Sequence, residues 1–114
     1  MSADCLFCRI AAREIPATIV HETDRVLAFR DIAPQAPVHV VVIPKEHWAD
    51  IAVLAANDRD LAGELLDEVT QVAADEGLGD GFRIVFNTGP DGGQTVEHVH
   101  AHLLGGRGMA WPPG

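Results

Sequence analysis

The sequence predicts an α+β domain in which a five-stranded antiparallel sheet carries one long and one short helix. Three observations lead there. Short runs rich in Val and Ile recur between connections marked by Pro and Gly. Only the stretch after Asn57 repeats apolar residues at helical spacing over several turns. Near the end, His98-Val99-His100-Ala101-His102-Leu103-Leu104 alternates with the two-residue period of a strand. At 114 residues the chain is the size of one domain, read here as residues 5–114.

The elements follow in order. Residues 7–13 suit a short helical turn, stopped at Glu14-Ile15-Pro16. Residues 18–22 and 26–30 form a hairpin around Thr23-Asp24-Arg25. Ile32-Ala33-Pro34-Gln35-Ala36-Pro37 holds two prolines and makes a loop. Val38-His39-Val40-Val41-Val42-Ile43 is β-branched, stops at Pro44, and sets His39 on one side with Val41 and Ile43, as a central strand would. The long helix takes Asn57 or Asp58 as its cap, runs Leu61, Leu65, Leu66, Val69, Val72 and Ala73 along one stripe, and ends at Gly77. Residues 82–87 make a fourth strand, Thr88-Gly89-Pro90-Asp91-Gly92-Gly93 a tight loop, and residues 94–104 the histidine strand. The tail, Gly105 to Gly114, has no period; Trp111, followed by Pro112 and Pro113, is suited to docking on a neighbour.

Composition narrows the function. A net charge of −9 argues against a nucleic-acid polymer as partner, because that role needs a basic stripe. A small phosphate ester stays open, since a few oriented N–H groups and imidazoles hold one anion whatever the global field. There is no apolar run long enough for a membrane span. The acidic start Met1-Ser2-Ala3-Asp4 lacks a signal-peptide pattern, so a cytoplasmic protein is expected. The two cysteines, in Cys5-Leu6-Phe7-Cys8, are either thiols beside a buried Phe7 or half of a tetrahedral zinc site whose other half is histidine.

Taken alone, the histidine triplet has three readings. The imidazoles bind a metal, they are exposed and idle, or one of them attacks a phosphorus atom. As a strand, the segment turns His98, His100 and His102 to one face and Val99, Ala101 and Leu103 to the core.

The pattern His-apolar-His-apolar-His-apolar-apolar, preceded by Gly92-Gly93-Gln94-Thr95-Val96, resembles the histidine triad (HIT) family of nucleotide hydrolases and transferases. The likeness extends through Phe7-x-x-Ile10, Glu14-Ile15-Pro16, Leu27-Ala28-Phe29-Arg30-Asp31-Ile32, Pro34-Gln35-Ala36-Pro37, Val42-Ile43-Pro44-Lys45-x-His47 and Gly105-Gly106-Arg107. The ending Trp111-Pro112-Pro113-Gly114 resembles the Hint branch, whose members are purine nucleoside phosphoramidases.

The resemblance implies a HIT-like fold, a homodimer joined into one continuous sheet, and cleavage of AMP- or GMP-amidates through a nucleotidyl-histidine. It makes His100 the nucleophile and His102 the imidazole that contacts the phosphate and assists the leaving amine, with His98 and His39 in the catalytic cluster. Nδ1 of His100 must then hold its proton against an acceptor, so that Nε2 is free. Asp31 matches the ribose-binding acid, and Leu6, Phe7, Ile10, Phe29 and Ile32 the base pocket. Asn87 and Thr95 (often serine in the family) lie beside the phosphate, where Gly93 and Gln94 bring main-chain N–H groups. Arg30 stands where relatives often carry histidine, which leaves base preference open, and Trp111 reaches the partner's site.

Some bacterial members hold a structural zinc, for which the ligands here are Cys5, Cys8, His47 and His98; no organic cofactor is expected. A dinucleoside polyphosphate hydrolase, a nucleotide-binding scaffold dimer and a metal-dependent hydrolase remain as alternatives.

Overall fold

The structure, a computed structural model, describes residues 4–114, so the reading of Met1-Ser2-Ala3 as a leaderless start lies outside it. Cys5 caps helix α1 (Leu6–Ala11), its sulfur accepting from the N–H of Cys8 at 3.3 Å. Strands β1 (Ile19–Glu22) and β2 (Val26–Arg30) form the hairpin. Its turn is closed by Thr23, whose hydroxyl accepts from the N–H groups of Arg25 and Val26. Strand β3 (Val38–Pro44) is central, followed by helices α2 (Ile51–Asn57) and α3 (Arg59–Asp75), and strands β4 (Phe82–Val85) and β5 (Ala101–Gly105). The sheet is antiparallel throughout, in the order β1-β2-β3-β5-β4.

Side chains sort by parity. Val26, Ala28, Val40, Val42, Ala101 and Leu103 face Leu54 of α2 and Leu61, Leu65, Val69 and Val72 of α3 in one apolar core. Their neighbours Leu27, Phe29, Val41 and Ile43 form a second, smaller cluster with Phe7, Cys8 and Ile10 of α1. The functional residues stand on this second face.

Helix α3 begins at Asp58, whose carboxylate accepts from the N–H of Leu61 at 3.0 Å. It ends with Gly77 at φ 74°, which lets the N–H groups of Gly77 and Leu78 reach back to the carbonyls of Ala74 and Ala73. Leu66, placed on the buried stripe by sequence, is instead 43% exposed at the helix flank.

Several boundaries differ from expectation, most by a residue or two. A third helix, α2, precedes α3; Asp50 caps it by accepting from the N–H of Val53. Helix α1 starts one residue earlier than expected and stops before Arg13, which turns to φ 63°. Strand β4 ends at Val85 rather than at residue 87. The regular histidine strand begins only at Ala101. Its pairing with β3 stops at Val42↔Ala101, and the carbonyl of Pro44 accepts from the ring of His98 instead of from a ladder N–H. Upstream, the N–H of Val99 donates to the carbonyl of Trp48 at 2.7 Å. The alternation itself persists, since Val99 is 2% exposed and packs in the apolar core. Among the described residues no helix is long and apolar enough to cross a membrane.

Candidate active site and metal centre

Three of the four histidines around the C-terminal motif have their proton fixed by a main-chain group that can only accept or only donate, and the fourth is fixed through one of these. His98 is fully buried, and its Nε2–H donates to the carbonyl of Pro44 at 2.8 Å. Its Nδ1 lone pair therefore faces the sulfurs of Cys5 and Cys8 at 3.3 and 3.5 Å. Burial pushes the pKa of His98 down to about 4 against the opposing pull of the Pro44 carbonyl, and His47 adds to the depression. The ring is thus the neutral imidazole a metal requires.

Two residues on, His100 donates from Nδ1 to the carbonyl of His98 at 2.8 Å. That leaves Nε2 with an unshared pair, the arrangement a nucleophilic imidazole needs. Burial holds its pKa below the ordinary value, against the raising effects of the His98 carbonyl and Asp31. Phe7 of α1 packs edge-on against the ring, 4.9 Å between centroids.

The third assignment runs through the β2–β3 loop. The N–H of Gln35 donates to Nδ1 of His39 at 3.0 Å, so His39 carries its proton on Nε2. That N–H reaches Nδ1 of His102 at 2.8 Å, with Asp31 Oδ2 3.4 Å away. His102 must then hold its own proton on Nε2. Adjacent residues of one face thus present opposite functions, a lone pair at His100 and a donor at His102, with ring centroids 5.0 Å apart. Burial pushes the pKa of His102 down to about 4, helped by His100 and His39 and opposed by Asp31.

A cavity of about 290 Å³ opens onto both rings. Leu6, Phe7, Ile10, Phe29, Ile32, Asp31, Asn87 and Thr95, all singled out from the sequence, line it. Ile32 does so from a fully exposed position at the rim. Asp31 is partly tied, accepting from the N–H of Ala33 at 2.8 Å, and keeps its other oxygen toward His39.

Other expected residues lie away from this cavity. The N–H groups of Gly93 and Gln94 close the preceding turn onto the carbonyls of Pro90 and Gly89. The Gln94 side chain braces the same loop against the Ala49 and Val96 carbonyls. Trp111 is 82% exposed on the tail, which Arg83 tethers through the carbonyl of Ala110. Arg30, by contrast, does border the cavity, while its guanidinium forks onto Glu76 at 2.7 and 3.1 Å, on the α3 face of the sheet.

Sequence reasoning missed Val41, Ile15, Pro16, Ala17 and Val96 in the lining. The shared parity of Val41 with His39 was the available signal for the first. It also missed the Pro44 carbonyl and the Gln35 N–H, main-chain groups with no side-chain signature. A wider cleft of about 520 Å³ between the β1–β2 hairpin and α3 is walled by Asp24, Glu64, Asp67 and Glu68 around Arg25. Its lining includes no imidazole and no thiol.

Cys5, Cys8, His47 and His98 form a separate group whose ligand atoms all lie within 4.8 Å of one another. Cys8 Sγ is 3.3 Å from Nδ1 of His47. With zinc bonds of about 2.3 Å to sulfur and 2.05 Å to nitrogen, a tetrahedron has S···N edges near 3.6 Å. The donors present fit that figure closely, and no disulfide joins the cysteines. With four protein donors, a metal held here would sit in a closed, structural site, with the Pro44 carbonyl as the outer partner that orients His98.

An antiparallel sheet thus carries a buried imidazole cluster that opens on an apolar cavity with Asp31 in its wall. The HIT domain model matches residues 12–109, and the chain belongs to the HIT family. A solved HIT family hydrolase from Legionella pneumophila is 53% identical with a TM-score of 0.94, covering 97% of this chain and all of that one. A 14 kDa zinc-binding protein of Brassica juncea is 52% identical over 113 residues, 97% of this chain and 100% of the relative. The adenylylsulfatase HINT1 of Arabidopsis thaliana is 52% identical over 111 residues, 96% of this chain and 76% of that protein.

Proposed function

We propose that the protein is a hydrolase of purine nucleoside 5′-phosphoramidates that works through a covalent nucleotidyl intermediate on His100. The observation that carries this reading is the pair of fixed tautomers: a free Nε2 lone pair on His100 beside an Nε2–H on His102. In the first step Nε2 of His100 attacks phosphorus and the P–N bond breaks. The Nε2–H of His102 stands where it can bond a phosphate oxygen or the leaving nitrogen. In the second step water attacks the phosphorus and His100 departs as imidazole. Over the cycle water supplies both the proton the amine gains and the oxygen the phosphate gains. His39 acts through His102, holding its tautomer. The base lies against Phe7, Ile10, Phe29 and Ile32, and Asp31 accepts from the ribose hydroxyls. Asn87 and Thr95 serve the phosphate. Gly93 and Gln94 shape the loop beneath it, and Trp111 closes the site of a second copy of the chain.

A zinc ion is proposed at Cys5, Cys8, His47 and His98, supported by donor geometry and by the zinc-binding name of the Brassica relative. Bound there, it supplies structural cross-linking of α1 to the histidine segment. A homodimer with a continuous sheet is proposed through an outer strand; β4, with Phe82 41% exposed, is one of the two available.

The test is to mix the protein with adenosine 5′-phosphoramidate, quench in acid, and weigh the intact chain. An AMP adduct that is absent from His100→Ala is expected. Turnover with no adduct in wild type under any quench, and undiminished turnover in His100→Ala, would refute the nucleophile.

A second reading has its own support in the name of the Arabidopsis relative, an adenylylsulfatase. The same nucleophile would then expel sulfate, which needs no proton on leaving. Comparing turnover of the phosphoramidate, adenylyl sulfate and a dinucleoside polyphosphate ranks the leaving groups. Preference for the last would favour the dinucleotide alternative.

A further inference from the structure

We propose that Cys5 and Cys8 are a peroxide-sensitive dithiol, and that their oxidation to a disulfide expels the metal and loosens the anchor of the nucleophile. This rests on the proposed roles of the metal centre and of His100, and concerns their regulation.

Cys5 lies at the wall of a second cavity, about 330 Å³, which it shares with His47, Thr95 and Glu97. This cavity adjoins the first through Leu6, Thr95 and Val96 but does not include His100, and it gives a small oxidant a path to Cys5. Cys8, 1% exposed, sits behind it. The N–H of Cys8 donates to Cys5 Sγ at 3.3 Å, which holds that sulfur on the side of Cys8. The two-residue spacing brings the sulfurs within 4.8 Å of each other, near enough to close by side-chain rotation.

The chemistry needs hydrogen peroxide as oxidant. The Cys5 thiolate attacks one peroxide oxygen, the O–O bond breaks, and the departing hydroxide takes a proton to become water. The resulting Cys5 sulfenic acid is attacked at sulfur by the Cys8 thiolate. The S–O bond breaks, hydroxide leaves and is protonated to a second water, and the disulfide forms. The two thiolates lose two electrons and peroxide gains them. A disulfide offers the metal no anionic sulfur, so two of four ligands vanish together.

The consequence reaches the active site through two residues, His98 and Phe7. The ring of His98 faces the sulfurs while its carbonyl holds Nδ1–H of His100 at 2.8 Å. Phe7, between the two cysteines, packs edge-on against His100 and against Phe29. Losing the metal therefore frees both the backbone that fixes the nucleophile's tautomer and the aromatic wall of the nucleoside cavity.

The experiment treats the zinc-loaded full chain with hydrogen peroxide and reads intact mass, metal release to a chromogenic chelator, AMP binding by calorimetry, and phosphoramidate turnover. The expected result is loss of two hydrogens, mapped to a Cys5–Cys8 peptide. One metal ion should leave per disulfide, and AMP affinity and turnover should each fall at least tenfold. A thiol reductant with added zinc should restore all four. Cys5→Ser should lose the mass change, and the reversibility in wild type carries the test if that variant does not fold. The proposal is overturned if peroxide that oxidises free glutathione leaves mass and metal content unchanged, or if the disulfide forms and metal departs with AMP binding and turnover intact. Absence of turnover in the reduced, loaded protein would instead count against the phosphoramidase reading, leaving mass, metal and AMP binding to judge the dithiol.

Discussion

The α3 face of the sheet and the α1 face are made from the same strands, and neighbouring residues alternate between them. On the α3 face, Val40, Val42, Ala101 and Leu103 meet Leu61, Leu65, Val69 and Val72, each at most 2% exposed and none with a polar side-chain atom. On the α1 face the same strands offer His39, Val41 and His102, covered by a six-residue helix. There the buried polar groups are satisfied one by one, through Pro44, Gln35 and the carbonyl of His98. One face is stabilised by area removed from water and tolerates exchange of similar volumes. The other is held by directional bonds that also decide which nitrogen is reactive. Stability and chemistry are thus separated by a single step along the chain, which makes the separation open to mutation.

The largest effect should come from the reacting atom. His100→Ala is expected to cut phosphoramidate turnover by a factor on the order of 10³–10⁶, the range for loss of a covalent nucleophile. Its melting temperature should move far less than that of a core variant, because the lost ring borders a cavity. Stopped-time mass spectra and a thermal melt on the same sample read both quantities.

The opposite behaviour belongs to Leu65, fully buried at the centre of the α3 face. Leu65→Ala should cost about 2–5 kcal/mol of stability, the usual sum of transfer and cavity effects. Below its melting transition, turnover per folded molecule should match wild type. A large loss of kcat in the folded variant would mean that the two faces are mechanically coupled.

An intermediate case is His39, which is buried but acts only through His102. His39→Leu removes the donor that fixes Nδ1 of His102 as acceptor, so the ring is free to exchange tautomers. Turnover of substrates with amine leaving groups should fall about 10–100-fold, up to the low end of the roughly 10²–10⁴-fold range for general acid assistance, because His102 itself remains. The loss should shrink for adenylyl sulfate, whose leaving group needs no proton. Equal losses for both would assign His39 to packing rather than to proton placement.

The two faces also differ in how far sequence exposes them. The stripe of Leu61, Leu65, Val69 and Val72 and the alternation in β3 are periodic, and burial of a periodic set is what hydrophobicity reports. Helix α2 escaped because it buries only Leu54, and one buried residue defines no period. The histidine segment was placed on the correct face, yet its regular strand was drawn too long: the Pro44 carbonyl, which ends the pairing, has no side-chain signature. The motif also does not declare that His98 turns its ring to the cysteines while His100 turns its lone pair to the cavity. That division depends on two main-chain carbonyls, which any residue type could have supplied. Gly93 and Gln94 show the same limit from the other side: a glycine-rich loop suggests backbone N–H groups directed at an anion, and in this structure those N–H groups close the loop on itself.

The smallest expected effect concerns acid, and it probes the polar face alone. His102 is held neutral, with its pKa pushed down to about 4 by burial, while in the unfolded chain it titrates near its ordinary value of about 6.5. Between those values the unfolded chain binds the extra proton, so lowering the pH favours unfolding. The contribution of this residue is complete above about pH 6.5, declines as pH falls toward 4, and is flat below. Because the ring is only partly buried, solvent screening reduces its share to about 2 kcal/mol or less. His102→Gln keeps an acceptor oxygen for the N–H of His39 and does not titrate. The difference between wild-type and variant denaturation midpoints, measured from pH 7.5 to 4.5, should therefore isolate this slope from any acid-induced loss of metal common to both. Parallel profiles would mean that His102 is solvated enough to titrate normally, and that its tautomer is set by water rather than by His39.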